Sequence, residues 1–179
     1  MATMTTTGCE PTRTSVAATI HPLSSEWVAG LAGMLDALVA AGDGASFHPH
    51  PFDCATLAGL AARSVAGGSG DEYHVAVASD GTVVAYGLLR GWSEGFEVPS
   101  LGVAVHPAVR GRGIARMMMA HLHAVARRRG AARVRLRVYR DNLRAVALYR
   151  ALGYRLEPLG QREWLGILEI ASPAQGHAA

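Results

Sequence analysis

The sequence predicts an α+β domain in which a mixed, mostly antiparallel central sheet is flanked by helices. Half of the 179 residues are hydrophobic and 17% are charged, so the chain can bury a core of ordinary size. Segments with the alternating pattern of strands lie between segments with the 3.6-residue period of helices. Short turns separate them, so we expect one domain over residues 15–170, with a flexible arm at 1–14 and a flexible tail at 171–179.

Each element is predicted from its periodicity and from the residues that bound it. Ser24 or Ser25 can cap the first helix, Asp53 the second and Asp141 the last. Asp80-Gly81 is typical of a tight turn between hairpin strands. The expected elements, in order, are strand 15–20, helices 24–40 and 53–66, hairpin strands 73–78 and 82–89, strand 101–105, helix 113–129, strand 133–138, helix 141–152, and strands 155–156 and 164–170.

The net charge of +3 comes entirely from arginine, since the chain has no lysine. Nine of the arginines gather between residues 110 and 137, in the second half: Arg110, Arg112, Arg116, Arg127, Arg128, Arg129, Arg133, Arg135 and Arg137. This pattern fits either a nucleic-acid binder or a protein that receives a polyanionic cofactor. Two isolated cysteines, Cys9 and Cys54, give neither a disulfide framework nor a metal motif, which favours a cytoplasmic setting. No apolar run is long enough for an ordinary membrane-spanning helix.

The segment 101–115 carries the most informative pattern. A strand ends at Pro107, a turn contains Gly111, and a helix begins near Gly113. Unpaired amides and the positive end of the helix dipole form an anion site at such a helix start. The glycines remove side chains that would hold a pyrophosphate off the backbone, and Ala115 keeps the first turn small. Three arginines can add charge-assisted contacts to phosphate: Arg110, Arg112 and Arg116.

Two other phosphate-binding motifs fit this turn less well. A Walker-type loop ends in Gly-Lys-Ser/Thr, and the chain has no lysine. A dinucleotide fingerprint needs G-x-G-x-x-G, but Gly111 and Gly113 are followed by Arg116 at the third position. By itself the turn is also compatible with an ordinary surface turn that leads into a core helix.

A second motif follows the turn, over residues 142–154, and the two together resemble the GNAT superfamily of N-acetyltransferases. The family pattern Q/R-x-x-G-x-G/A is matched by Arg110, Gly113 and Ala115, after a V-x-V-x-P strand at 103–107. The pattern N-x-x-A-x-x-L-Y-x-x-x-G-F is matched by Asn142, Ala145, Leu148, Tyr149 and Gly153, with Tyr154 in place of Phe. The resemblance covers roughly residues 73–156.

The resemblance implies acetyl-CoA as the acetyl donor, no metal, and a sheet splayed between the strands at 101–105 and 133–138. The pantetheine arm would lie in that gap and contact Asn142, and a backbone N–H near Val105 would polarise the thioester carbonyl. The implied cofactor residues are Val103, Ala104 and Val105 for the arm, and Arg110, Gly111, Arg112, Gly113, Ile114, Ala115 and Arg116 for the pyrophosphate.

The resemblance also suggests catalytic residues. Tyr149 would protonate the sulfur of coenzyme A as it leaves; the alternative is a half-buried tyrosine that packs on the sheet. Glu94 and Glu97 precede the cofactor strand, where family members often carry a carboxylate that removes the amine proton. Each of them would otherwise be a solvated loop residue.

For the acceptor, the candidates are His48, His50 and Trp92. The two histidines lie in Phe-His-Pro-His-Pro-Phe, a spacing that does not match a zinc motif. A rigid loop of this kind predicts either substrate recognition or a structural turn. Trp92 would line the same pocket.

These observations predict a cytoplasmic N-acetyltransferase that acetylates a primary amine of a small molecule, such as an amino sugar or an aminoglycoside-like acceptor, by direct attack in a ternary complex. The expected partners are this amine and a second copy in a homodimer, with no nucleic acid and no membrane. The alternatives are a non-catalytic acetyl-CoA sensor, a protein or peptide N-acetyltransferase, and a nucleic-acid-binding domain. Asn142 and Tyr149 in register favour catalysis.

Overall fold

A computed structural model describes residues 17–65 and 70–170, with only the backbone of Val65. The arm predicted at 1–14, the tail predicted at 171–179 and the helix end predicted at Gly67-Gly68 lie outside the described residues.

Every predicted element within the described ranges is present, with bounds shifted by a few residues. Short 3₁₀ turns at Ser25–Trp27 and Pro107–Val109 precede the first and third α-helices. The elements are β1 Ala18–Pro22, α1 Val28–Ala40, α2 Cys54–Val65, β2 Glu72–Ala78, β3 Val83–Arg90, β4 Ser100–Val105, α3 Ile114–Arg128, β5 Arg133–Tyr139, α4 Leu143–Ala151, β6 Arg155–Leu159 and β7 Glu163–Glu169.

The helix caps agree only in part with those predicted. Asp53 caps α2, because its Oδ1 accepts the backbone N–H of Thr56 at 2.8 Å. The prediction of Ser24 or Ser25 as the cap of α1 was wrong: a 3₁₀ turn at Ser25–Trp27 precedes this helix, its N-cap residue is Trp27, and neither Ser24 nor Trp27 makes a side-chain cap bond. The prediction of Asp141 as the cap of α4 was wrong: Asn142 Oδ1 accepts the N–H of Ala145 at 3.2 Å, one residue later than expected.

The seven described strands form one sheet in the order β1-β2-β3-β4-β5-β7-β6. All neighbours are antiparallel except β4 and β5. The antiparallel neighbours pair over five or more residues, whereas β4 and β5 pair at a single position, Ser100 with Arg135. A further bond from the N–H of Arg135 to Pro99 O lies beside that position. The two parallel strands therefore diverge from this point, and the predicted splayed, mostly antiparallel sheet is confirmed.

Helices cover both faces of the sheet. On one face, α3 and α4 bury Met118, Leu122 and Val146 against the strands from both sides of the split. On the other face, α1 and α2 bury Leu31 and Leu57 against β2 and β3. The approach of α3 to β3 is close: a Cβ on Gly87 would lie 2.6 Å from the sulfur of Met118. This contact fixes α3, and with it the turn that precedes α3.

None of the helices within residues 17–65 and 70–170 has both the length and the hydropathy that a membrane span requires.

Candidate active site

The gap between β4 and β5 opens into a cleft of about 740 Å³. The splay leaves the edge of β4 beyond Ser100 without strand pairing on the β5 side, within the described residues. Its backbone groups there can therefore bond a ligand. The cleft is lined by residues 101–105 of β4, by 109–111 and 113–116, by 137 and 138 of β5, by 141–145, 148 and 149 around α4, and by 38, 43, 46 and 47. All of the predicted cofactor residues except Arg112 line this cleft.

At the mouth of the cleft, the turn before α3 has the geometry of an anion site. Gly111 and Gly113 adopt φ values of +76° and +84°, which side-chain-bearing residues rarely adopt. A Cβ at either glycine would meet nothing within 4 Å, so the space beside the turn is open. The first turn of α3 carries no acidic residue and has no side-chain cap. Its leading amides remain available to a phosphate, because the helical bonds begin with Met117 N–H to Gly113 O.

The arginines of this turn differ in their contacts. Arg112 and Arg116 are exposed to solvent. Arg110 is instead engaged by the protein: its Nη2 lies 2.6 Å from Asp43 Oδ2 and its Nε donates to Val105 O at 3.3 Å.

Tyr149 lies in the wall of the cleft on α4 and is only 7% exposed. Burial raises the pKa of its hydroxyl to about 12, so the group keeps its proton at neutral pH. Its ring packs 5.7 Å, between centroids, from the ring of Tyr154.

Tyr154, which stands where the family pattern has Phe, has a partner for its hydroxyl. The hydroxyl oxygen lies 2.7 Å from Nε2 of His123 on α3. Burial raises the pKa of Tyr154 and lowers that of His123, so the tyrosine donates and the neutral imidazole accepts. The departure from Phe therefore adds a partly buried hydrogen bond between α3 and the residue that packs on Tyr149.

Asn142 has a structural bond as well as a place in the cleft wall. Its Oδ1 is occupied by the cap bond to Ala145, which fixes the side chain at the start of α4. The side-chain amide N–H groups remain for a ligand.

Glu94, Glu97 and Trp92 do not line the cleft. Both glutamates are exposed in the loop between β3 and β4. Trp92 packs on the core, and the guanidinium carbon of Arg129 lies 4.0 Å from the centroid of its ring. This loop precedes β4, whereas the turn before α3 follows it, so the loop lies at the opposite end of the strand from the candidate anion site.

The two predicted acceptor histidines also lie outside the cleft lining. His48 is exposed. His50 donates from Nδ1 to Pro51 O at 2.7 Å, because a carbonyl can only accept, and its Nε2 then accepts from Tyr86 Oη at 2.9 Å. Burial lowers the pKa of His50, which keeps the ring neutral for both bonds. These contacts match the structural-turn alternative for His50.

Several cleft residues were not predicted from the sequence. Asp43 and Phe47 come from the segment between α1 and α2, where Asp43-Gly44 indicated only the end of a helix. Leu143 and Arg144 come from the first turn of α4, and Leu143 is 73% exposed beside the cleft. Arg137 follows from the alternation of β5, which places its arginines on the face opposite Val134 and Leu136. Among these residues, Arg137 is therefore the one whose position the sequence pattern could have indicated.

Among the described residues, no group of three or more histidine, cysteine, aspartate or glutamate side chains could hold a metal ion.

A mixed sheet that opens between two parallel strands, with a helix-start anion site at the mouth of the opening, is the arrangement expected of an acetyl-CoA-dependent acyltransferase from the resemblance to the GNAT superfamily. A family model described as the acetyltransferase (GNAT) family matches residues 42–154, more than half of the chain. The chain belongs to this family, which confirms the resemblance, the class of enzyme and acetyl-CoA as the acetyl donor.

Two characterised relatives match parts of the chain. Streptothricin acetyltransferase of Streptomyces lavendulae is 34% identical over 82 residues, which are 45% of this chain and 42% of the relative. The N-alpha-acetyltransferase RimI of Mycobacterium tuberculosis is 38% identical over 93 residues, 51% of this chain and 57% of the relative. The matched region thus spans about half the length of these relatives.

Solved structures share the fold over most of the chain. PaiA N-acetyltransferase of Thermoplasma acidophilum, in complex with coenzyme A, has a TM-score of 0.73 at 15% identity and covers 86% of this chain and 99% of its own. YncA of Salmonella typhimurium, solved with acetyl-CoA, has a TM-score of 0.69 at 21% identity and covers 91% and 99%.

Proposed function

We propose that the chain transfers an acetyl group from acetyl-CoA to a primary amine of a small molecule, such as an amino sugar or an aminoglycoside-like acceptor. One observation carries the proposal: a single cleft contains both the anion site at Gly111–Gly113 and the hydroxyl-bearing wall at Tyr149. Its volume of about 740 Å³ has the size of a ligand site, so it can hold a cofactor arm with a small acceptor at its inner end.

The residues of the cleft would hold the donor by backbone contacts. The amides that begin α3 would bind the pyrophosphate, and the unpaired edge of β4 at Val103–Val105 would bond the pantetheine amides. When bound, acetyl-CoA supplies a thioester carbonyl that an amine can attack. An N–H near Val105 would polarise that carbonyl, and the cleft would align donor and acceptor for direct attack in a ternary complex.

For Tyr149 we infer a role as a hydrogen-bond donor to the departing sulfur. Its pKa of about 12 lies well above the value near 8.5 of an ordinary thiol. Complete proton transfer from tyrosine to thiolate would therefore be uphill by about 5 kcal/mol. A donated hydrogen bond stabilises the developing charge without that cost, and the ammonium formed from the attacking amine can supply the proton.

The proposed mechanism uses neither Glu94 nor Glu97, since both lie outside the cleft lining. We expect Glu94→Gln and Glu97→Gln to retain the kcat of the parent chain. If either variant instead lost most of its kcat, and the acidic limb of its pH–rate profile disappeared, that glutamate would be the general base.

The test is release of free thiol from acetyl-CoA with a panel of amines, for the parent chain and Tyr149→Phe. Loss of one aligned donor should lower kcat by about 100- to 1000-fold while coenzyme A binding is retained. Tyr139→Phe is the matched control, because Tyr139 lies on β5 but does not line the cleft. Absence of turnover with every amine, together with tight coenzyme A binding, would favour the sensor alternative.

The similarity to RimI supports a second acceptor class, the N-terminus of a protein or peptide. The amine panel should therefore contain short peptides alongside amino sugars, aminoglycosides and streptothricin. Saturable turnover with peptides alone would replace the small-molecule acceptor with this class.

A further inference from the structure

An ion pair joins two walls of the cleft that are far apart in the sequence. Asp43 lies after α1 and Arg110 lies in the turn before α3; their charged atoms are 2.6 Å apart and both residues line the cleft. The side chain of Asp43 is 37% exposed and that of Arg110 is 26% exposed. The Oδ2 atom of Asp43 is itself buried, and its contact with Arg110 is an ion pair that lacks the geometry of a hydrogen bond. A second contact, from Arg110 Nε to Val105 O, holds the guanidinium against the end of β4.

The backbone on the Asp43 side is well fixed. Gly42, at φ +83°, turns the chain away from α1, and the N–H of Asp43 donates to Leu38 O at 3.1 Å. The carbonyl of Asp43 then accepts the N–H of Ser46 at 2.9 Å. This turn delivers Phe47 to the cleft.

Phe47 is the second attachment of this segment to β4. A Cβ on Gly102 would lie 3.3 Å from the Phe47 ring, so the missing side chain on the strand lets the ring approach. Phe47 also packs edge-on against Tyr86, at 6.2 Å between centroids. The segment 43–47 therefore meets the strand through an aromatic ring at one end and through an ion pair at the other.

We propose that Asp43 is a positioning residue: by pairing with Arg110 at the mouth of the cleft it holds the segment 43–47, whose Phe47 end lies further in, against Gly102 of β4, and forms a wall for the acceptor. Arg110 then acts as the anchor of this wall and not as a phosphate ligand, and the phosphates are left to the backbone amides and to Arg116, which lines the cleft. The assignment of the wall to the acceptor rests on the proposed function; the clamp itself does not. The ion pair ties this wall to Arg110, in the turn before α3.

The two roles of Arg110 give opposite expectations for Asp43→Asn. If Arg110 binds phosphate, removing its carboxylate partner frees the guanidinium and coenzyme A binds more tightly. If Arg110 anchors the wall, coenzyme A affinity stays within twofold, whereas the segment 43–47 opens more often. A partly exposed ion pair of this kind is expected to change the opening equilibrium by about two- to fivefold.

The experiment measures amide hydrogen exchange over residues 43–47, and coenzyme A binding by calorimetry, in Asp43→Asn, Arg110→Gln and the double variant. Asp36→Asn is the control, since Asp36 is exposed on α1 and does not line the cleft. We expect the same two- to fivefold faster exchange in each single variant, no further increase in the double variant, and no change in the control.

Where the amine screen finds an acceptor, Asp43→Asn should raise the KM for that amine by a similar factor and leave the KM for acetyl-CoA unchanged. Unchanged exchange at 43–47, or coenzyme A binding that tightens more than threefold in Asp43→Asn, overturns the clamp. Exchange and calorimetry need no turnover, so a failure of the proposed activity is distinguishable from a failure of the clamp.

Discussion

Gly113→Ala tests whether the turn before α3 binds phosphate, and the effect on binding can be separated from the effect on folding because Gly130 provides a matched control. Gly113 and Gly130 adopt nearly the same conformation, with φ of +84° and +78°, and a Cβ on either would meet nothing within 4 Å. The two glycines stand at opposite ends of α3, and only Gly113 lines the cleft. An alanine at either position therefore carries the same backbone strain without a steric clash.

The cost of that strain is about 1–2 kcal/mol for an alanine in the left-handed region. For a domain of this size, each kcal/mol lowers Tm by about 2–4 °C. Without ligand, Gly113→Ala and Gly130→Ala should therefore lose a similar amount, about 2–8 °C each.

The variants should differ once coenzyme A is added. A ligand at about 100 times its Kd stabilises the folded chain by about 2.7 kcal/mol, which raises Tm by about 5–11 °C. Gly130→Ala should keep this increase. If the pyrophosphate binds the amides of this turn as proposed, the methyl group of Gly113→Ala would stand in its path and should abolish most of the increase. Thermal unfolding with and without coenzyme A measures both effects, and an undiminished increase in Gly113→Ala would refute the assignment of the turn as the phosphate site.

Three further predictions concern the core and two partly buried histidines of α3. Leu122→Ala empties a fully buried position between α3 and the sheet, and should lower the free energy of unfolding by about 2–5 kcal/mol in urea denaturation. Tyr154→Phe deletes the hydrogen bond to His123 and should cost about 1 kcal/mol, with coenzyme A affinity unchanged in calorimetry. Burial first, and then the neighbouring His74, lower the pKa of His121 from 6.5, so its neutral form is favoured by folding. Stability should therefore hold above about pH 6.5 and fall as the pH drops through the folded pKa; His121→Gln should reduce the difference between urea midpoints at pH 7.5 and pH 5.

Local patterns in the sequence were sufficient for the element order and for most of the cleft residues that we propose to hold the cofactor. The alternation in β5, the glycines at 111 and 113, and the motif from Asn142 to Tyr154 each act within one element or turn. Residues from each of them therefore stand where the local conformation places them, and some residues of each feature line one cleft: Gly111, Gly113, Arg137, Val138, Asn142, Ala145, Leu148 and Tyr149.

The side of the cleft that we propose for the acceptor was harder to predict, because it depends on which distant segments meet. Nothing in Asp43-Gly44 shows that its carboxylate reaches Arg110, and nothing near Trp92 shows that the ring turns to Arg129 instead of the cleft. The cap at Asn142 was missed for a smaller reason: Asp141 and Asn142 are equally good caps, and one residue decides which side chain turns back to the helix.

The split in the sheet also has a consequence for how the domain unfolds. The backbone ladder that links its two halves is reduced to the neighbourhood of Ser100 and Arg135, so hydrogen bonds between strands transmit little between them. The apolar cluster under α3 crosses the gap, because it contains Leu101 of β4 together with Val134 and Leu136 of β5. Cooperativity between the halves is therefore carried by side-chain packing, and we expect loosening of this cluster to divide one unfolding transition into two.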